Sequence, residues 1–157
     1  HITASVGGSH SRPTRSAVRR PMSDITFGTD GWRAVIAEDF TFDNLRIVSQ
    51  AFADYLRKSD QTSRGIVVGY DTRFQGAAFA AAAAEVLAAN NIHVSLTATP
   101  VPTPGLSFAV LHRNADAGVM ITASHNPARW NGFKVKRGTL RYAPILNRVI
   151  PYFEFRP

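Results

Sequence analysis

A short polar turn after an apolar run is the part of this sequence best suited to chemistry. Residues 122–127 read Thr-Ala-Ser-His-Asn-Pro and directly follow the run Ala117–Ile121. A strand that ends at such a turn holds its last side chains rigidly at the edge of a sheet, where open α/β sheets bind ligands. The turn offers a hydroxyl (Ser124), an imidazole (His125) and an amide (Asn126).

Ser124 has two possible uses at this position. As a nucleophile, a serine hydroxyl needs an activating base or a modification already in place. The chain contains no Gly-x-Ser-x-Gly elbow, so acyl transfer is poorly supported. As a structural residue, Ser124 would cap a helix that begins near Pro127.

Two cationic side chains could accompany a phosphate at this turn. Arg33 closes the segment Phe-Gly-Thr-Asp-Gly-Trp-Arg at residues 27–33, whose glycines suit an anion-cradling turn. Its guanidinium could clamp a phosphate with two hydrogen bonds. Lys134 follows Ser124 by ten residues, and its ammonium could neutralise a phosphoryl group on Ser124. The alternatives are a tight turn with a solvated Arg33, and an exposed Lys134 beside Lys136.

A third polar turn, Gly69–Arg73, occupies the same position after another apolar run. Asp71 and Arg73 are expected to cap the following helix and to pair with each other. An indirect role in orienting the site is the alternative.

Elements that could position these turns alternate along the chain. The patterns predict strands at 32–37, 65–70, 92–96, 115–122 and 131–136, and helices at 41–58, 74–90 and 105–112. Thr41 or Asp43 could cap the first helix. An Asn-Gly turn at Asn131 would lead into the last strand.

This alternation predicts an α/β fold, a three-layer α/β/α sandwich around a mixed, mostly parallel sheet. We expect three segments: a disordered leader at 1–21, the domain at 22–136 and a different C-terminal tail at 137–157. Met22 would be the natural start. The tail does not continue the pattern, and 146–150 could be a short helix or strand.

The overall charge does not identify a partner. The chain has 157 residues and a net charge of +7. Residues 1–24 and 137–157 hold eight arginines and two acidic residues, so six of the seven net charges belong to the ends. A nucleic-acid-binding domain carries its charge as a patch on the folded surface, so we expect no nucleic-acid partner. No apolar run approaches the roughly 20 residues of a membrane helix, and the absence of cysteine fits a reducing compartment.

Taken together and in order, these motifs resemble the first domain of the α-D-phosphohexomutases, the phosphoglucomutase and phosphomannomutase family. They are Phe-Gly-Thr-Asp-Gly-Trp-Arg, Gly-Tyr-Asp-Thr-Arg, Pro-Thr-Pro at 102–104, Thr-Ala-Ser-His-Asn-Pro and Asn-Gly-Phe-Lys. The resemblance covers about residues 25–136. It implies a cytoplasmic intramolecular phosphotransferase that moves phosphate between the 1- and 6-positions of a hexose phosphate through a bisphosphorylated intermediate.

The resemblance also implies residue roles. Ser124 would carry the transferable phosphoryl group and contribute to Mg²⁺ binding. Arg33 and Lys134 would surround that group and assist proton transfer, and His125 would line the same loop. The family's other Mg²⁺ ligands come from an Asp-x-Asp-x-Asp-Arg loop, which this sequence lacks.

The missing loops suggest a truncated family member that is inactive alone. The family's sugar-recognition and phosphate-binding loops are absent as well, and a complete member is roughly three times longer. Whether the chain acts as an enzyme by itself is left open. The alternatives are a non-catalytic module that binds sugar phosphates or a partner, and a frame-disrupted product without a function.

Overall fold

The computed structural model describes residues 25–28 and 31–137, together with the backbone of 155–156. Within these residues, strands and helices alternate along the chain. They are β1 (Gly31–Val35), α1 (Phe42–Lys58), β2 (Ile66–Tyr70), α2 (Gly76–Ala89), β3 (Val94–Thr97), α3 (Thr103–His112), β4 (Ala117–Ile121), β5 (Trp130–Arg137) and β6 (Phe155–Arg156).

The strands form one mixed sheet in the order β1-β5-β4-β2-β3-β6. The central strands β4, β2 and β3 are parallel, whereas β5 pairs antiparallel with both β4 and β1. The two-residue β6 pairs antiparallel with β3 and is the outer strand on the side opposite β1. The carboxyl ends of β2 and β4 therefore lie beside the amino end of β5, at one end of the strands.

Helices cover both faces, which confirms the predicted α/β/α fold class. On one face, α1 and α2 pack over a cluster of buried side chains that includes Trp32, Phe79 and Phe133. Phe40 links this cluster, because its ring lies 4.8 Å from the rings of both Trp32 and Phe79. On the other face, α3 buries a smaller cluster with Met120 and Leu106.

The first helix begins as its sequence predicts. Thr41 has extended backbone geometry, and its side chain accepts a hydrogen bond from the Asn44 N–H. Asp43 lies in the first turn, where a negative charge interacts favourably with the helix dipole. Inward-facing side chains such as Leu45, Val48 and Phe52 then follow at helical spacing.

The predicted Asn-Gly turn before the last strand is wrong. Asn131 and Gly132 lie inside β5, opposite Ala34 and Arg33 of β1. The buried Asn131 Oδ1 accepts from the Gly132 N–H. A Cβ on Gly132 would lie 2.7 Å from the carbonyl oxygens of both Thr122 and Trp32. Glycine is therefore required here because two backbones approach closely, not because the chain turns.

Several sequence predictions concern residues outside those described. They are the leader at 1–21, the start at Met22, residues 29–30 of the first turn, and the element at 146–150. Within the described part of the chain, none of the helices has the length and apolar character needed to cross a membrane.

Candidate phosphoryl-transfer site

The Ser124 loop connects β4 to β5 without forming a helix. Residues 122–129 are turns and irregular backbone, so the alternative in which Ser124 caps a helix near Pro127 is wrong. The chain reverses within eight residues and enters an antiparallel strand, which leaves no room for a helix. Ser124 and His125 are both exposed. Ser124 adopts a left-handed backbone with φ 58°, which is uncommon outside glycine and asparagine.

Arg33 lies in β1 and reaches this loop. Its neighbours Trp32 and Ala34 belong to the core under α1 and α2, so alternation directs Arg33 to the opposite face. There its Nη1 donates to Asn126 Oδ1 at 3.3 Å. The half-buried guanidinium therefore crosses from β1, past β5, to the loop that carries Ser124.

Lys134 shares that face of the sheet. It stands opposite Met120 of β4 and Gly31 of β1, and Met120 belongs to the core under α3. Lys134 is 5% exposed, so the alternative of an exposed strand lysine is wrong. Arg33 stands opposite Gly132, which is two residues before Lys134 on β5. The backbones of Arg33 and Lys134 are therefore offset by about 7 Å along the strand direction.

The turn before β1 is closed by its own backbone. The Gly28 N–H donates to Gly31 O at 2.9 Å, and the Gly31 N–H donates to Gly28 O at 3.4 Å. These two N–H groups therefore bond within the turn and do not face an anion, which agrees with the tight turn that the sequence offered as the alternative. Gly31 has φ 135°, and a Cβ there would come within 2.9 Å of Lys134 Cα.

The Asp71 turn is joined to the Ser124 loop by hydrogen bonds. Asp71 accepts from the Arg73 N–H and forms the expected ion pair with its Nε at 3.4 Å. The Thr122 hydroxyl donates to Asp71 Oδ2 at 2.5 Å and accepts from the Ser124 N–H at 2.9 Å. Asp71 is therefore bound to the loop. The expectation that it caps the following helix is wrong, because α2 begins at Gly76 after Gln75 and has no side-chain cap.

Arg73 contacts the loop more extensively than any pattern in the sequence indicates. Its guanidinium donates to backbone carbonyls of Ser124, Asn126, Pro127 and Trp130. The sequence left an indirect role of this turn in orienting the site as an alternative, but it did not predict the hydrogen bonds that Arg73 and Thr122 make to the loop. The available signal was topological, because polar turns after neighbouring parallel strands meet at one sheet edge.

The described residues do not form a complete magnesium site. Among them, no group of three or more His, Cys, Asp or Glu side chains is placed to hold a metal ion. Ser124 is the single predicted Mg²⁺ ligand in this part of the chain.

Residues 24–141 match the family described as phosphoglucomutase/phosphomannomutase, alpha/beta/alpha domain I. The chain belongs to this family. It is similar to a phosphoglucomutase of Staphylococcus epidermidis, with 44% identity over 117 residues. It is also similar to a glucose 1,6-bisphosphate synthase of Mus musculus, with 43% identity over 122 residues.

A solved structure agrees with this phosphohexomutase assignment. A putative phosphomannomutase from Thermus thermophilus superposes with a TM-score of 0.71 at 45% identity, covering 76% of this chain and 27% of that chain. The alignments with the staphylococcal and mouse proteins cover 71% of this chain and 21% and 20% of those relatives. The chain therefore spans about a fifth of the length of these curated relatives.

Proposed function

We propose that this chain carries the phosphoserine part of a phosphohexomutase site. Ser124 holds a phosphoryl group that moves between the 1- and 6-positions of a hexose phosphate. The observation that carries the proposal is the Arg33–Asn126 hydrogen bond, which ties a cation on β1 to the loop of Ser124. The buried Lys134 on the same sheet face supports it.

Phosphoryl transfer depends mainly on how the protein positions the reacting groups and neutralises their charge. In phosphoryl transfer, the P–O bond to the leaving oxygen breaks as a bond to the attacking oxygen forms, and catalysis is largely electrostatic. When a sugar hydroxyl attacks the phosphoryl group, its oxygen bonds to phosphorus as the P–O bond to Ser124 breaks, and the sugar's proton passes to the departing Ser124 oxygen. Arg33 would stabilise the phosphoryl oxygens, and Lys134 would add a second positive charge. His125 lies beside Ser124 and would line the same loop.

The match covers only about a fifth of the curated relatives, and we assign the remaining walls of the site to the parts of those relatives that this chain does not match. A phosphoryl group on Ser124 would help to hold Mg²⁺, which would supply further positive charge there; the other ligands implied by the family are absent from this sequence. The hexose is likewise selected elsewhere. The chain by itself therefore retains a phosphate-carrying surface but has no useful turnover. We propose hexose phosphates as the substrates of the site and the cytoplasm as its location.

A domain exchange tests this function. Residues 24–141 would replace the corresponding segment of the Staphylococcus epidermidis phosphoglucomutase, to which the chain is 44% identical over 117 residues. We expect the chimera to convert glucose 1-phosphate to glucose 6-phosphate in a coupled assay. The Ser124→Ala chimera is the control and should lose at least about a thousandfold in kcat, since it lacks the group that carries phosphate.

One result would contradict the proposal. A folded chimera with no more turnover than its Ser124→Ala control would remove the phosphoryl-transfer function. If the 157-residue chain alone then showed a thermal shift with hexose phosphate, it would be a binding module instead.

A further inference from the structure

Both terminal nitrogens of the Arg73 guanidinium donate to backbone carbonyls of the Ser124 loop and of Trp130, where β5 begins. Nη1 donates to the carbonyls of Pro127 and Trp130 at 2.9 and 3.0 Å. Nη2 donates to those of Ser124 and Asn126, both at 2.7 Å. The remaining nitrogen, Nε, faces Asp71 Oδ2 at 3.4 Å. The side chain is 13% exposed.

This arrangement requires arginine rather than a positive charge alone. The guanidinium presents five N–H donors in a rigid planar fork, whereas lysine has three donors on a flexible stem. A lysine at this position would keep the ion pair with Asp71 and leave at least one loop carbonyl without its donor. The loop would then lose part of what fixes its shape.

Arg73 also sets the direction of the loop's peptide groups. Since a trans peptide holds its C=O and N–H on opposite sides, drawing the Ser124 carbonyl toward Arg73 turns the His125 N–H away from it. The carbonyl oxygens of three loop residues and of Trp130, where β5 begins, converge on the guanidinium. An anion on the far side of the loop therefore meets fewer carbonyl oxygens.

A second connection fixes Ser124 from its amino side. The Ser124 N–H donates to Thr122 Oγ1, whose own hydroxyl donates to Asp71. Ser124 is therefore held at its N–H through Thr122 and Asp71, and at its carbonyl by Arg73. Both attachments lead back to the same turn after β2. They support a left-handed backbone at φ 58°, which a serine adopts only when its surroundings impose it.

We propose that Arg73, backed by Asp71, is the positioning residue of the Ser124 loop. It draws the loop carbonyls to one side and so keeps the opposite side suited to a phosphoryl group on Ser124. This proposal rests on the proposed function. Arg73 acts through the backbone and does not contact the transferred group.

The first test is amide hydrogen exchange of the 157-residue chain, for wild type and Arg73→Lys. The reporters are the N–H groups of Ser124, Asn126 and Trp130, which all bond within the loop. Losing hydrogen bonds to a charged donor should speed their exchange about ten- to a hundredfold, with α1 and β2 unchanged. Thr122→Val is a second variant and should speed exchange at Ser124 most.

Arg64→Lys is the matched control. Arg64 also pairs with an aspartate, because its N–H and Nε both donate to the buried Asp116 at 2.8 Å. It lies before β2, at the opposite end of the sheet. Its replacement should leave the exchange of the Ser124 loop unchanged.

The second test uses the same chain with phosphoserine incorporated at position 124, titrated by ³¹P NMR. The second pKa of phosphoserine is ordinarily about 6, and nearby cations lower it. We expect a lowered value in wild type and a return of about half a unit or more toward 6 in Arg73→Lys.

Each outcome decides the proposal. Faster loop exchange with a raised phosphoserine pKa in Arg73→Lys supports it. Unchanged loop exchange overturns it, and so does an unchanged pKa in a variant whose loop exchanges faster. A wild-type pKa already near 6 refutes the proposed function, and the positioning proposal falls with it even where the exchange result holds.

Discussion

At the scale of single residues, the chemistry of the Ser124 loop depends on which groups satisfy its polar atoms. The sequence identifies Ser124, His125 and Asn126 because hydroxyl, imidazole and amide groups follow an apolar run. It does not predict the hydrogen bonds of Thr122 and Arg73, because these bonds join segments about 50 residues apart. Such contacts become visible only once β2 and β4 are known to be neighbours.

Thr122→Val should lower the free energy of unfolding by about 1–3 kcal/mol, because this buried hydroxyl both donates to Asp71 and accepts from Ser124. Urea denaturation followed by circular dichroism measures the change. Valine has nearly the shape of threonine, so the loss reports the hydroxyl.

Thr97→Val is the control for that substitution. Thr97, the last residue of β3, is also buried, but its hydroxyl has no hydrogen-bond partner within the described part of the chain. Its replacement should be neutral or stabilising, because an unpaired buried hydroxyl is costly. Equal destabilisation by both substitutions would show that the Thr122 hydroxyl has no special structural role.

At the scale of elements, sequence patterns predict a helix or strand correctly where interactions between nearby residues determine it. The helix α1 begins after Thr41 because capping and helical spacing agree there. The strand β5 shows the limit of such reasoning. Asn-Gly favours a hairpin turn locally, yet tertiary contacts place it inside a strand where β1, β5 and the end of β4 approach closely.

Gly132→Ala should destabilise the fold by about 1–3 kcal/mol, the usual cost of overpacking. The added Cβ would lie 2.7 Å from two carbonyl oxygens and 2.9 Å from Arg33 Cγ, so Arg33 would also be displaced. Thermal or urea unfolding measures the loss.

Gly28→Ala is the control for the strand glycine. A Cβ on Gly28 would find its nearest heavy atom at 3.6 Å, an ordinary contact distance. Its effect should stay within about 0.5 kcal/mol, as for most surface substitutions. A Gly132→Ala protein as stable as this control would contradict the close approach described for β5.

At the scale of the whole molecule, the sheet brings together turns that are distant in sequence. The carboxyl ends of β2 and β4 and the amino end of β5 lie at one edge, which positions Arg73, Ser124 and Asn126 together. The alternation of strands and helices in the sequence predicts the fold class, and the order of the motifs indicates the family. The chain spans about a fifth of the curated relatives' length, so a complete active site is not expected from these residues.

The 157-residue chain alone should therefore show no mutase turnover. Purified chain, glucose 1-phosphate and Mg²⁺ in a coupled assay should give the same rate as the Ser124→Ala chain. A rate well above that control would contradict this prediction. It would mean that the domain turns over substrate without the family's sugar-binding and metal-binding loops.

The central claim is that Arg33 and Lys134 act on a phosphoryl group carried by Ser124, and a ³¹P titration tests it most directly. In the chain with phosphoserine at position 124, we expect a pKa about one unit or more below the ordinary value of about 6. Arg33→Gln and Lys134→Met should each raise it. Lys58→Met, an equal charge change at the end of α1, should not. A pKa near 6 in wild type that neither substitution changes would contradict the account.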